Sequence, residues 1–116
     1  GNGVIREYEL LADCAVGIWF ERSLTPAWGL FDGESSIGPE VTFNPGRADE
    51  VRALKVNARP VKAGDVVRLS VGGGGGYGDV RDRDPEPIAD DIANGYITPA
   101  FAESHYHHTR PTRQKD

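Results

Sequence analysis

Methionine is absent from this 116-residue chain, and cysteine occurs once, as Cys14. A lone cysteine permits no internal disulfide and fits a reducing, cytoplasmic compartment. Because it begins an apolar stretch, Cys14 is expected to be a small buried hydrophobe rather than a reactive thiol. The chain has no initiator and opens inside a strand-like run, Val4 to Leu10, so it reads as an excised C-terminal piece of a longer polypeptide. No apolar run approaches the roughly 20 residues that span a bilayer, and no signal peptide is visible, so no membrane partner is expected. Positive charge is in deficit too. A net charge of -5 and a pI near 5.1 argue against a nucleic-acid or anionic-membrane surface. A chain of this length forms one domain that buries about two thirds of its unfolded surface.

What the chain does hold is glycine, concentrated in Val71-Gly72-Gly73-Gly74-Gly75-Gly76-Tyr77-Gly78-Asp79. Consecutive glycines lose more backbone entropy on folding than any other residues. The flanks argue against a linker. Gly64 to Val71 reads as a turn and then a β-branched strand, and an aromatic residue and an acid follow the run. An ordered loop leaving a strand end is expected. It is not a phosphate-binding loop, because no Lys-Ser or Lys-Thr follows, and no helix packs directly onto it as in a dinucleotide fingerprint. A close backbone crossing, a nest of amides for an anion, direct contact with a substrate or nucleotide, and flexibility all remain open.

The first two thirds read as β structure. Val16, Ile18 and Phe20 alternate with Gly17, Trp19 and Glu21, which gives a strand with one apolar face. Ser23 to Ile37 is a long loop carrying Trp28, Leu30 and Phe31, which are expected to pin it onto the sheet or onto a surface outside the chain. Val41 to Phe43 is a short strand closed by Asn44-Pro45-Gly46-Arg47, a type II turn signature. Val51 to Val56 is expected as another strand, and Lys62-Ala63-Gly64-Asp65 as another tight turn. Short strands between such turns favour an antiparallel sandwich or barrel. Towards the end, Asp84-Pro85 starts a helix and Asn94-Gly95 stops it, with Ile88 and Ile92 on one face. Thr98-Pro99 starts a second helix, with Phe101 and His105 on one side.

Few side chains suggest chemistry. All three histidines crowd into His105-Tyr106-His107-His108 with no cysteine nearby, so no metal site is expected. Asp79, Asp82, Asp84 and Glu86 alternate with Arg81 and Arg83, a pattern typical of a solvated connector before a helix N-terminus. Arg6 and Glu7 suit either a cross-strand pair or a substrate contact. No arrangement of Ser, His and Asp or of Cys and His has a workable geometry, so no catalytic residue is assigned.

Several separated stretches, taken in order, resemble one family. Gly3 to Leu10, Pro26 to Leu30, Asn44-Pro45-Gly46, Lys62 to Asp65, Gly73 to Asp79, Arg83-Asp84-Pro85 and Asn94-Gly95-Tyr96 look like the C-terminal end of the hydantoinase B/5-oxoprolinase family, to which acetone carboxylase is related. The resemblance covers about residues 1 to 106, and Ser104 to Asp116 departs from it. It implies part of an ATP-dependent enzyme that opens cyclic amides, with ATP and Mg or another divalent metal in the intact enzyme and none held by this chain. A hydantoinase A-type subunit, the remainder of its own chain and a small cyclic amide are the implied partners. Phosphorylating the carbonyl oxygen of a resonance-stabilised lactam would make a better leaving group. Gly73, Gly74, Gly75, Gly76, Tyr77 and Arg6 are carried over as contributors to substrate binding or to packing against the missing core. The fold expected is mainly β: an antiparallel sandwich or barrel-like module with a glycine-rich loop and two short C-terminal helices. Residues 1–80 form the β-rich module, 81–108 its helical extension, and 109–116 a disordered tail.

Overall fold

A computed structural model of the chain describes residues 1–107. It is mainly β, with strands β1 (Val4–Glu9), β2 (Cys14–Trp19), β3 (Glu40–Phe43), β4 (Val51–Arg52), β5 (Lys55–Val61) and β6 (Val66–Val71). A 3₁₀ turn, Val80–Asp82, leads into helices α1 (Pro85–Ala93) and α2 (Pro99–Tyr106). All strand pairing is antiparallel: one sheet runs β1-β6-β3-β4 and a second pairs β2 with β5. The mainly β antiparallel class expected from the turn spacing is thus the one found. The His108 and Thr109 to Asp116 expectations lie outside the described residues.

The core sits where the two sheets meet. Ile18 of β2 and Val61 of β5 pack with Val41, Phe43 and Val67 of β3 and β6, and Val16, Phe20, Leu54 and Val56 close around them. Each such buried aliphatic or aromatic side chain contributes roughly 1.5–3 kcal/mol. The guanidinium of Arg59 caps the Phe43 ring at 4.9 Å. Both glycine-containing turn readings hold. Arg47 N–H donates to the Asn44 carbonyl at 3.1 Å and Asp65 N–H to the Lys62 carbonyl at 3.0 Å, with Gly46 and Gly64 at φ of 77° and 87°.

Asn44 is a buried polar hub between those turns. Its amide donates to Asp49 at 3.0 Å and to Asp65 at 3.1 Å, while its Oδ1 accepts from the Val66 N–H at 2.9 Å and from Arg47 at 3.2 Å. The Lys62 N–H, then Asn44 and Arg47, hold the Asp65 carboxyl below the usual carboxylate range against partial burial. Every polar atom of the Asn44 side chain therefore has a partner, which a buried amide requires.

Three local expectations are corrected. Cys14 is exposed at the start of β2, although Val61 directly opposite it on β5 is buried in the core. The single strand expected over Val51 to Val56 is two: Val51–Arg52 pairs with β3, and Lys55–Val61 crosses to pair with β2. At the break, Ala53 and Leu54 instead bond to Val41 and Phe20. Trp28, Leu30 and Phe31 do not pin their loop to the sheet, since they are 67, 54 and 73% exposed.

Candidate functional site

What holds the Ser23–Ile37 loop is backbone. Leu30 N–H donates to the Gly76 carbonyl at 2.9 Å, Gly76 N–H to Glu34 at 2.8 Å, and Gly78 N–H to Leu30 at 2.9 Å, around a parallel bridge of Leu30 with Tyr77. Ser36 Oγ donates to the Gly73 carbonyl at 2.6 Å. A methyl group on Gly75 would overlap the Trp28 carbonyl, on Gly33 the Gly76 carbonyl, on Gly29 the Gly33 carbonyl, and on Gly73 the Gly1 carbonyl. Three backbone segments cross with no side chain between them. Within Gly72–Gly76 no φ is left-handed, so the run serves close approach rather than unusual torsion. A close crossing is one of the readings the sequence left open.

Gly74 departs from the pattern. A Cβ there would meet nothing within 4 Å. It faces an open groove of about 1180 Å³ between the glycine crossing and the two helices, lined on one side by Gly74, Gly75, Gly76 and Tyr77. Arg6, on β1, lies away from this groove, and Gly73 sits behind it against Gly1. The structure therefore brings four of the six residues singled out from the sequence to one surface.

The helical wall is built from local signals. Thr98 accepts from the Phe101 N–H at 3.1 Å and caps α2, and Asn94-Gly95 ends α1 with Gly95 at φ 74°. Asp84 occupies the α1 cap position without a side-chain bond, and Pro85 takes the first helical position. Arg83 bridges the helices, donating to Asp91 at 2.5 Å and to Tyr106 Oη at 3.0 Å beside the Tyr106 ring. His105 stacks on Phe101 at 4.8 Å and reaches Glu34 at 3.1 Å, tying α2 to the loop. Asp79 caps the 3₁₀ turn and accepts from the Arg81 side chain and N–H, which together lower its pKa to about 2.

Of the alternating acids and arginines, Asp79 and Arg81 pair locally, whereas Arg83 reaches out of the segment to Asp91 and Tyr106. Glu7 pairs across the sheet with Arg68 at 2.5 Å, while Arg6 has no ion-pair partner among the described residues. Sequence reasoning missed Glu34, Ser36, Gly29 and Gly33, which read as loop residues. Their signal was glycines in two distant segments, each needing the other. Among the described residues no group of three or more His, Cys, Asp or Glu is placed to hold a metal ion.

Comparison with known proteins agrees with the resemblance. The family model of Hydantoinase B/oxoprolinase matches residues 1–80. The B-type subunit of a putative D-/L-hydantoinase from Pseudomonas sp. is 30% identical over 100 residues, covering 84% of this chain and 17% of its own length. An uncharacterized protein of Methanocaldococcus jannaschii is 29% identical over 99 residues, again 84% of this chain and 17% of that protein. The chain thus spans about a sixth of the length of these relatives. No solved structure matches it. No helix among the described residues is long and apolar enough to cross a membrane.

Proposed function

This chain belongs to the hydantoinase B/oxoprolinase family, and on that premise we propose that it is the C-terminal part of an ATP-dependent subunit that opens cyclic amides such as hydantoin or 5-oxoproline. Its role there is structural: it presents the Gly74–Tyr77 backbone as one wall of the active site and is inactive alone. The observation that carries this is Gly74, a glycine facing the groove with neither a left-handed torsion nor a neighbour among the described residues to require it. A bare backbone facing open space suits close approach by a group from outside the chain. ATP handling belongs to a hydantoinase A-type partner, and the exposed free thiol of Cys14 suits a reducing, cytoplasmic setting.

The test places this chain in the intact Pseudomonas subunit in exchange for the segment it matches, with its partner subunit and ATP present. Hydantoin ring opening is expected from the chimera, loss of turnover on Gly74→Leu, and none from the chain alone. Turnover by the chain alone, or an indifferent Gly74→Leu chimera, would remove the wall role.

A second reading is favoured by the exposed aromatics Trp28, Phe31 and Tyr77, of which Phe31 and Tyr77 meet edge to face at 5.2 Å. Exposed aromatics suit protein contact. Under this reading the chain docks the hydantoinase A-type subunit. Capture of that subunit by the chain, lost on Trp28→Ala with Phe31→Ala, is the expected outcome.

A further inference from the structure

The sheet β1-β6-β3-β4 ends very differently on its two sides. β4 is a two-residue edge, too short to template another strand. β1 is six residues long with an unbroken register, Val4 opposite Val71 through Glu9 opposite Val66, and it contains no proline or bulge. The flanking bonds fix which backbone groups face outward. Leu10 N–H donates to Asp65 and Asn44 N–H to Val66, so Val67, Leu69 and Val71 turn towards β1 and bond Tyr8, Arg6 and Val4. The N–H and C=O groups of Ile5, Glu7 and Glu9 therefore point away from the sheet and have no backbone partner among the described residues. Both faces of the strand are open as well. Ile5 is 68% exposed on one face, and Val4 and Tyr8 are 51% and 50% exposed on the other.

We propose that β1 is an interior strand of the assembled subunit: an extended segment, from the part of the family polypeptide that lies outside this chain, adds to its free edge. The inference rests on the reading that this chain is one part of a hydantoinase B-type subunit. Three observations select that occupant. The chain covers 17% of each relative's length, so most of a family polypeptide lies elsewhere. A second copy fits poorly, because a two-fold antiparallel pair must centre on one residue facing its own copy. Centring on Arg6 or Glu7, which keeps most of the strand paired, sets like charges directly opposite. Centring on Ile5 or Tyr8 instead discards about half of the overlap. Finally, Arg6 lacks an ion-pair partner among the described residues while Glu7 is satisfied by Arg68. The added segment is thus apolar beside Ile5 and Tyr8 and carries a carboxylate beside Arg6.

Residue-resolved amide exchange tests this on the chain alone and on the intact Pseudomonas subunit. In the chain alone, Arg6, Tyr8 and Leu10 should exchange at least about tenfold more slowly than Ile5, Glu7 and Glu9. In the intact subunit the aligned residues should all be slow, with the alternation gone. Proline at the position aligned with Ile5 lacks only the outward N–H, so it should restore fast exchange at the positions of Glu7 and Glu9 and leave Arg6 and Tyr8 slow. Alternation that persists in the intact subunit overturns the proposal, as does a dimeric chain whose outward amides are already slow. Ring opening measured on the same preparation separates the two ideas. Turnover with alternation retained removes strand addition alone; slow outward amides without turnover remove the hydrolase reading alone.

Discussion

Asn44 and the glycine crossing both tie together segments far apart in sequence, and they do so by opposite means. At Asn44 one buried side chain gathers the ends of β3, the 62–65 turn and the start of β6, satisfying donors and acceptors on each. At the crossing, residues 28–34 and 75–78 meet because side chains are missing, and carbonyls and amides of the main chain bond directly. The first junction tolerates change around it as long as its amide stays. The second forbids any addition at all. A side-chain hub fails by losing bonds one at a time, whereas a bare-backbone junction fails as a unit when one Cβ forces it apart.

The largest effect should therefore come from adding a single carbon. Gly75→Ala must push the Trp28 carbonyl away and with it the bonds between Gly76 and Glu34 and between Leu30 and Gly76. We expect a loss of roughly 3 kcal/mol, read by urea unfolding, from overpacking plus broken backbone bonds. A loss under about 0.5 kcal/mol would mean that the crossing yields, and that the contrast with Asn44 is false.

Asn44→Ala should cost less, about 2 kcal/mol, by leaving the Val66 N–H without its acceptor and by placing alanine at φ 52°. Asn44→Gly sharpens the comparison because it relieves the torsion but not the lost bonds. Its unfolding free energy should lie between those of wild type and Asn44→Ala. Equal values for the two variants would mean that only the hydrogen bonds matter at this hub.

These two junctions also mark how far the sequence is legible. The Asn-Pro-Gly and Lys-Ala-Gly-Asp turns, the β-branched strand before the glycines and the Thr98-Pro99 start signal each rest on short-range patterns, and each lies where expected. Two of the groups Asn44 bonds to, Asp65 and the Val66 N–H, lie 21 and 22 residues away, and no local pattern announces them. The glycine run stands out in the sequence, but its partners Gly29 and Gly33 read as breakers, since a glycine carries no polarity or periodicity to betray what it touches. For Trp28 and Phe31 the sequence offered the sheet or a surface outside the chain, and the structure speaks against the sheet. Apolarity predicts burial somewhere, and within this chain they are exposed. The groove itself was legible only as far as Gly74 to Tyr77, because its far wall comes from helices folded back from residues 83 to 106.

The smallest effect on stability is the most informative about function. Gly74 sits in the middle of the run yet shares none of its constraints: its φ is not left-handed and a Cβ meets nothing within 4 Å. Alanine there restricts the unfolded chain more than glycine does and strains nothing in the folded one, so Gly74→Ala should raise stability by up to about 1 kcal/mol. A drop comparable to that of Gly75→Ala would mean that the crossing extends through Gly74 and that the groove has no bare wall. If the chain alone is stabilised while the chimeric subunit loses ring opening, the requirement for glycine comes from whatever occupies the groove. The two junctions then differ in a further respect: Asn44 completes the fold from within, and the glycine run contains a position whose reason for being glycine lies outside the chain.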